Sequence, residues 1–481
     1  MLNTRVQRIV AAALSGVMIS AAASLHPWWS IAWIAPIPLL AAAFSTSRGE
    51  TRVLAASAAL IGCASTTSYY LEVAGPLLAL VLIPITRLLE TIFVVSATRA
   101  AVVKWRHWLS IFVYPSLLAG IDMLVGEYSR NGSSGSLAYS QMNAIPVIQI
   151  ATIAGTSGIV FIVSLFAAMV AVVWYRRGDL KGIRPGYVLS AIIILAAIGS
   201  GWLRVALAPV ESSIPVGLAV IDTPVNPPAS SPDAPLWKSY GAAIAALAQH
   251  GAKLVVLPEK IAAFDPDQAD KMRQALARLS AANRIFLLAG VTIVEPDHKE
   301  NRAWLFTPEG TLHADYSKQH LVTGFEDAFV PGRKIAVRII DGNLAGIAIC
   351  KDMDFPHLGR NYAAQDVRMM MVPAWDFGRD DWQHSRMAIL RGVEGDFSIA
   401  RAARHGLLTV SDPYGRVLYQ ASSSAAPYGY LIAAAPLGPG IDTIYGHIGN
   451  AFGWIALVFG VLASLWATYF NEPKARDEED D

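Results

Sequence analysis

The feature that most constrains the fold is a series of apolar stretches, each long enough to cross a lipid bilayer. A transmembrane helix needs roughly 20 consecutive, mostly apolar residues. Seven such stretches lie in the N-terminal part of the chain and an eighth lies near its C-terminus. The predicted spans are residues 7–25, 29–45, 53–72, 75–98, 108–126, 147–174, 187–206 and 447–470. This pattern predicts a polytopic α-helical membrane protein with about eight spans.

The composition agrees with a membrane protein and gives no argument for a nucleic-acid partner. Only 16% of the residues are charged, whereas soluble globular chains carry about 25%. The formal net charge is +1, so no basic surface is expected to attract nucleic acid. The first stretch has the character of a signal peptide. Because "HPWWS" leads from it directly into the second stretch, we favour a retained helical hairpin.

The distribution of Lys and Arg between the loops predicts the orientation in the membrane, since cytoplasmic loops carry the excess of positive charge. The basic residues on one side of the predicted spans are Arg5, Arg8, Arg48, Arg52, Arg99, Lys104, Arg106, Arg176, Arg177, Lys181 and Arg184. The alternate loops hold little positive charge, and Arg130 is the main exception. Both termini are therefore predicted to be cytoplasmic, and the residues after the seventh span extracytoplasmic.

Two polar features stand out within the membrane part. Arg87 and Glu90 lie three residues apart in the fourth predicted span, which places them on one helical face. A local ion pair is the simplest interpretation, and a functional role stays open because charges at membrane depth are costly. The Gly- and Ser-rich stretch 130–140 is predicted to be an external loop.

Residues 215–437 have a different texture, in which short apolar runs alternate with helix-compatible segments. The predicted strands cover 216–222, 253–259, 285–294, 334–340, 343–350, 367–375 and parts of 397–420, and the predicted helices cover 236–251, 268–283 and 380–396. Asp341-Gly342 is a hairpin turn signal. The predicted organisation is a membrane domain at 1–210, an α/β domain at 215–437, a transmembrane helix at 445–472 and an acidic cytoplasmic tail at 473–481.

The chain has two cysteines, and their positions argue against a disulfide. Cys63 lies inside the third predicted span, whereas Cys350 ends the apolar run "LAGIAIC" in the α/β domain. A bond between them would join a membrane helix to a polar domain. Cys350 is therefore predicted to be a free thiol, either an inert buried residue or a nucleophile.

Three residues with complementary chemistry follow apolar runs of the α/β domain. Glu259 ends "LVVLPE", Lys318 lies in "DYSKQHL", and Cys350 ends "LAGIAIC". In α/β sheets, sites gather beyond the carboxyl ends of the strands. A thiol can act as nucleophile, a nearby ammonium and a helix N-terminus would lower its pKa, and a carboxylate can accept its proton. Each residue alone could instead have no catalytic role, as an inert buried cysteine or as a solvated Glu or Lys at a strand end. Their spacing does not decide between a catalytic and a purely structural role.

The segments "LVVLPEK", "YSKQHLVTGFEDAFVPG" and "GIAICKDMDFP" resemble, in this order, the Glu, Lys and Cys motifs of the nitrilase (carbon–nitrogen hydrolase) superfamily. The segment "HSRMAILRGVEGDFSIARAARHGLLTVSDPYGRVL" is similar to the region that follows the cysteine in that superfamily. Seven spans before such a domain and one after it resemble the apolipoprotein N-acyltransferases, the membrane members of the superfamily. The resemblance implies an extracytoplasmic nitrilase-like αββα sandwich.

The same resemblance implies an activity and a set of site residues. Members of that family move a fatty acyl group from a phospholipid to the N-terminal amine of a lipoprotein through a cysteine thioester, at the outer face of the bacterial cytoplasmic (inner) membrane. Carried over to this chain, Cys350 is the acyl-accepting thiol, Glu259 the general base and Lys318 the oxyanion partner. Glu326 and Asp352 fall at further acidic positions of the family's site. No metal and no cofactor is implied.

This chain departs from the family pattern near the three motifs. Lys351 stands where an aromatic residue usually follows the nucleophile, and "AVIDT", "TGFE" and "PAWDFG" replace the usual segments around residue 221, Thr323 and Trp375. We expect these residues, with Asp376, to line the acceptor's approach. Lys351 would raise the positive potential beside the thiol, attract a phosphate, or point away at the surface. Transfer to another amine, hydrolysis as an amidase or thioesterase, and a non-catalytic binding domain remain alternatives.

Overall fold

The computed structural model describes residues 2, 4–209, 212–222, 231–424, 428–440 and 443–470. The predicted acidic tail, 473–481, lies outside the described residues. The α-helices are α1 Arg5–Ala22, α2 Trp29–Ile34, α3 Ile37–Phe44, α4 Arg48–Gly62, α5 Ala64–Val73, α6 Gly75–Leu77, α7 Ile83–Ala100, α8 Val113–Tyr128, α9 Ile145–Ile148, α10 Ala151–Tyr175, α11 Leu180–Ala206, α12 Pro235–Gln249, α13 Pro266–Asn283, α14 Pro356–Ala363, α15 Asp381–Gly395, α16 Ile444–Ile448 and α17 Ala451–Leu465. The strands are β1 Ser213–Ile221, β2 Leu254–Val256, β3 Ala263–Phe264, β4 Phe286–Val294, β5 Lys299–Phe306, β6 Leu312–Ser317, β7 Ala336–Ile340, β8 Asn343–Ile347, β9 Met369–Trp375, β10 Ser398–Arg404, β11 Leu407–Ser411, β12 Val417–Ser422 and β13 Tyr428–Pro436.

Six helices within the described residues are long and apolar enough to cross a membrane. They are Arg5–Ala22, Gly75–Trp105, Trp108–Tyr128, Ala151–Tyr175, Leu180–Ala206 and Ala451–Tyr469. The other two predicted spans are also helical, but each consists of two shorter helices. The predicted span 29–45 is interrupted before Pro36, which lacks a backbone N–H, and 53–72 is divided at Cys63. Length and composition alone therefore support six spans.

Local sequence signals explain where several elements begin and end. The first helix of the chain begins at a capping box between Thr4 and Gln7, and α13 begins at one between Asp265 and Gln268. The turn at Asp341 and Gly342 has φ angles of 47° and 81° at these two residues. Two consecutive residues in the left-handed region form the type of hairpin turn that Asp-Gly predicts.

The α/β domain is built from two stacked sheets with helices on their outer faces. One sheet has the strand order β13-β1-β2-β4-β5-β6, with β3 paired to β4, and the other has the order β12-β11-β10-β9-β8-β7. Apolar side chains from both sheets fill the space between them. Helices α12 and α13 pack against the first sheet, and α14 and α15 against the second. This confirms the predicted αββα sandwich.

The sheet topology brings the three predicted motifs together. Strands β1, β2 and β4 run parallel to one another in the first sheet, as β8, β9 and β10 do in the second. Glu259 and Cys350 each follow the carboxyl end of a parallel strand, β2 and β8, by three residues. Gly290 on β4 allows the backbone before the site to approach closely, since a Cβ there would lie 2.7 Å from the Cα of Glu259. The two loops therefore meet at one edge of the sandwich.

Candidate active site

Glu259 and Lys318 form a buried ion pair in this site. The Lys318 ammonium donates to Glu259 Oε1 at 2.8 Å, and both side chains are 1% exposed. Lys318 follows the last residue of β6 directly, so the antiparallel hairpin β5–β6 positions it. A second carboxylate, Glu326, accepts from the same ammonium at 2.9 Å. Sequence analysis predicted the proximity of all three residues, and the structure places them in contact.

Two residues that sequence analysis missed complete this cluster. The Asn301 amide donates to Glu259 Oε1 at 2.6 Å and to Glu326 Oε1 at 2.7 Å, which joins the two carboxylates from the middle of β5. Lys260 donates to Glu326 Oε1 at 2.9 Å. Asn301 gives no sequence signal, because it lies among the charged residues Lys299, Glu300 and Arg302 of β5. Lys260 gives no signal either, because it stands in the turn after β2, where strand periodicity does not predict the side that a residue faces.

The electrostatics of the cluster favour ionised side chains. Burial lowers the pKa of Lys318, but the charges of Glu259 and Glu326 outweigh this and raise its pKa well above the ordinary lysine range. Burial raises the pKa of Glu326, but Lys318 and Lys260 outweigh it and lower the pKa to about 2. A carboxylate with such partners stays ionised near neutral pH.

Cys350 stands at the start of a short 3-10 helix, Cys350–Asp354, and has a strained backbone. Its φ of 46° lies in the left-handed region, which is rare for a residue with a side chain. Such strain persists where the surrounding structure enforces it, most often at functional sites. The thiol, which is only partly buried by surface exposure, donates to the Trp375 carbonyl at 3.4 Å. The start of the Cys350–Asp354 segment and the end of β9 are therefore in direct contact.

The expected lowering of the Cys350 pKa by Lys318 is wrong as a net effect. Burial raises the pKa of the thiol, the Glu259 carboxylate raises it further, and the opposing effect of Lys318 is smaller, so the pKa lies well above the usual cysteine value. Desolvation disfavours the charged form of any group that is removed from water. The resting side chain is therefore a thiol.

Asp352 fixes two loops that carry site residues. Its Oδ2 accepts from the backbone N–H of Ile349 at 3.0 Å and from the Tyr316 hydroxyl at 2.7 Å. Its Oδ1 accepts from the backbone N–H groups of Gln319 and His320 at 3.1 and 2.9 Å. These bonds join the residue before Cys350 to the residues after Lys318. The predicted acid thus positions both motifs through their backbones.

Lys351 is buried instead of pointing away at the surface. It is 8% exposed, and its ammonium donates to Asn131 Oδ1 at 2.9 Å and to the Leu321 carbonyl at 3.3 Å. The adjacent Ser133 donates from its backbone N–H and its hydroxyl to the Asp354 carbonyl, at 2.9 and 2.7 Å. The predicted external loop of the membrane domain therefore packs directly on the Cys350–Asp354 segment.

Arg87 and Glu90 support that same loop. They form the predicted ion pair at 3.0 Å, and Arg87 also donates to the Gly135 carbonyl at 3.0 Å. A second contact lies beyond β9, where the Tyr69 hydroxyl of α5 donates to Asp380 Oδ2 at 2.5 Å. Residues of the N-terminal helical domain thus contact the Cys350–Asp354 segment and the segment that follows β9.

The residues that depart from the family pattern have different surroundings. The Trp375 ring lies beneath the Lys260 ammonium, which is 4.9 Å from the ring centroid. Asp376 is fully buried and paired with the Arg401 guanidinium, at 2.9 Å for one of their bonds. Asp376 therefore does not line an open approach as expected, because it stabilises the sheet beneath the thiol. Thr323 is exposed on the loop that carries Glu326.

Comparisons with known proteins agree with this architecture. The sequence model of the apolipoprotein N-acyltransferase N-terminal domain matches residues 15–169, and that of the carbon-nitrogen hydrolase matches residues 218–449. An apolipoprotein N-acyltransferase of Geobacter metallireducens is 26% identical over 393 residues, which cover 73% of this chain and 73% of that protein. A deaminated glutathione amidase of a Synechocystis species is 31% identical over 212 residues, covering 36% of this chain and 76% of that protein. A solved structure of an amidase from Nesterenkonia, of the nitrilase superfamily, aligns with a TM-score of 0.42 and 24% identity over 51% of this chain and 97% of that chain.

The αββα domain and the helices around it define a membrane-bound enzyme of the carbon–nitrogen hydrolase superfamily. The matches to both domains extend over most of the chain, and the membrane-domain match separates it from the amidases. The chain belongs to the apolipoprotein N-acyltransferase family. It is thus an acyltransferase and a bacterial inner-membrane protein.

Proposed function

We propose that this enzyme transfers a fatty acyl group from a phospholipid to the N-terminal amine of a lipoprotein, through a thioester on Cys350. The observation that carries the mechanism is the buried Lys318–Glu259 pair, at 2.8 Å, beside a cysteine with a left-handed backbone. A carboxylate, an ammonium and a thiol together supply a base, an oxyanion partner and a nucleophile. The membrane helices that contact both flanking loops would bring a lipid donor to the thiol.

In the first half-reaction, Glu259 takes the proton of the Cys350 thiol as the sulfur attacks the ester carbonyl of the phospholipid. The raised pKa of the thiol makes this transfer necessary, because little thiolate exists beforehand. The tetrahedral intermediate then expels the lysophospholipid alkoxide. The alkoxide recovers the proton from Glu259, and the acyl group remains on sulfur.

Lys318 is positioned to stabilise the oxyanion. An ammonium has three N–H donors, and within the described residues Lys318 donates to Glu259 and Glu326. The third donor is free to point toward the carbonyl oxygen as it gains charge. Because burial fixes the ammonium in advance, little reorganisation is needed when the charge develops.

In the second half-reaction, the α-amino group of the lipoprotein attacks the thioester, and Glu259 accepts one of its protons. The new tetrahedral intermediate collapses to an amide and releases the Cys350 sulfur, which regains the proton. The Lys/Arg distribution supports an extracytoplasmic catalytic domain, where lipoproteins would meet it. Alkaline phosphatase fused at about residue 300 should be active, and an inactive fusion there would contradict this orientation.

The experiment that tests the function follows lysophospholipid release from a purified enzyme. With phospholipid alone, we expect a burst of about one equivalent, since a ping-pong enzyme stops at the acyl-enzyme without an acceptor. A diacylglyceryl-cysteine peptide should then discharge the thioester and restart release. A Cys63→Ala variant provides the control, because Cys63 lies in the membrane domain.

Three outcomes would contradict the proposal in different ways. Continuous release without an amine would show a hydrolase. A stable thioester that the lipopeptide does not discharge would show that another amine is the acceptor. The absence of both adduct and lysophospholipid would exclude the phospholipid donor and favour a small amide substrate.

A further inference from the structure

Lys260 is a second buried ammonium in the active site, and its backbone is strained to place it there. It follows Glu259 directly, so in a regular strand the two side chains would face opposite sides. Its φ of 49° lies in the left-handed region. This turn lets consecutive residues of opposite charge enter the same cluster. A non-glycine residue in that region is strained and persists where the surrounding structure enforces it.

The ammonium of Lys260 has defined partners on three sides. It donates to Glu326 Oε1 at 2.9 Å and lies 3.8 Å from Glu259 Oε1. The ring centroids of Trp375 and Phe329 lie 4.9 and 5.5 Å from it. Lys260 is 4% exposed, so these contacts are screened little by solvent. Aromatic faces also attract a cation in this range.

The position of Lys260 matters because its positive charge changes the net charge of the cluster. Glu259 and Glu326 carry two negative charges, and Lys318 alone would leave the cluster with a net charge of about −1. Lys260 brings this sum to zero. The charged or titratable groups that face the cluster or the thiol from the surrounding elements are Glu259, Glu326, Lys318, Cys350, Lys351, Asp354, Asp376, Arg401 and Arg404. A neutral cluster opposes negative charge on the sulfur less than an anionic one does.

We infer that Lys260 is a positioning residue that acts through Glu326 and Glu259: it neutralises the carboxylate pair and thereby makes the Cys350 thiol easier to ionise. This inference rests on the proposed role of Cys350 as the nucleophile. The inference makes Lys260, which directly follows the proposed general base Glu259, a second required cation beside Lys318. In this scheme Lys318 stabilises the oxyanion directly, whereas Lys260 contributes the positive charge that balances Glu259 and Glu326.

The test is the pH dependence of Cys350 alkylation by iodoacetamide, measured by mass spectrometry of the peptide that contains it. Lys260→Met should move the profile upward by about one pH unit, which makes alkylation about tenfold slower below the midpoint. Lys260→Arg keeps the charge and should restore the profile. Lys253→Met is the matched control, because Lys253 is an exposed lysine paired with Asp341. It should leave the profile unchanged.

A second pair of variants separates charge from structure. Glu326→Gln alone leaves a net positive cluster and should move the profile to lower pH, whereas the double variant Lys260→Met/Glu326→Gln is neutral and should return it to the wild-type position. This comparison holds even if Lys260→Met alone does not fold. Profiles that coincide for Glu326→Gln and the double variant would overturn the inference.

The experiment also distinguishes this inference from the proposed function. If iodoacetamide does not label Cys350 of the wild-type enzyme at any pH, the nucleophile assignment fails. If Cys350 is labelled but its profile is insensitive to the charge at position 260, only the role of Lys260 fails. The reagent needs neither phospholipid nor lipoprotein, so the choice of substrate does not affect the result.

Discussion

Glu326→Gln tests whether the buried charge cluster stabilises the fold as well as the site. The ordinary pKa of a glutamate here is 4.5, and the neighbouring ammonium groups lower that of Glu326 to about 2. A difference of about 2.5 pKa units corresponds to roughly 3 kcal/mol of free energy of unfolding. A carboxyl whose pKa is lowered by folding stabilises the fold above its unfolded-state pKa. This contribution is lost as the pH falls from about 4.5 toward 2.

The variant has a neutral amide, so it lacks this titration. We expect wild type to exceed Glu326→Gln in free energy of unfolding at pH 7, and the difference to shrink by roughly 3 kcal/mol as the pH falls below 4. Guanidinium denaturation in detergent at several pH values, followed by tryptophan fluorescence, measures this difference. Asp327→Asn is the control, since Asp327 is the exposed carboxylate next in sequence. A difference that stays constant with pH would refute the electrostatic account.

Two further predictions concern the residues that position the Cys350–Asp354 segment. Asp352→Asn replaces a carboxylate that accepts four hydrogen bonds, so we expect about 1–3 kcal/mol of destabilisation and slower acylation of Cys350, measured by denaturation and intact mass. Lys351→Met and Asn131→Ala should each lower the thermal midpoint for loss of acyl transfer. Because both remove the same 2.9 Å bond, the double variant should lose little more than the worse single variant. Fully additive losses would show that the two residues act independently.

The sequence located the three motifs because strand ends are local features, whereas only the resemblance to the nitrilase superfamily indicated a functional role for Glu259, Lys318 and Cys350. Apolar runs that stop at Glu259 and Cys350 identify where buried strands leave the sheet. The carboxyl ends of parallel strands lie at the same edge of a sheet, so these residues are expected there. The hairpin turn could also be predicted, because it depends only on the two adjacent residues Asp341 and Gly342. The predicted spans at 29–45 and 53–72 each form two shorter helices, which are separated near Pro36 and at Cys63.

The remaining features depend on contacts that no local pattern encodes. Lys351 binds Asn131 across 220 residues of sequence, so its burial could not be predicted from its neighbours. Lys260 lies in the turn after β2 with a left-handed backbone, and no strand periodicity predicts the side that its side chain faces. The pKa of Cys350 depends on how much water the folded domain removes from the thiol. Burial raises this pKa by more than the nearby Lys318, which the sequence motif identified, lowers it.

The most direct test of the central claim is intact-mass spectrometry of the purified protein before and after addition of phospholipid. Wild type and Cys63→Ala should both gain the mass of one fatty acyl group, which hydroxylamine removes because thioesters are cleaved by it. Peptide mapping should place the adduct on Cys350, and Cys350→Ala should gain no mass. An acyl adduct that persists in Cys350→Ala, or acyl transfer by that variant at the wild-type rate, would contradict the account.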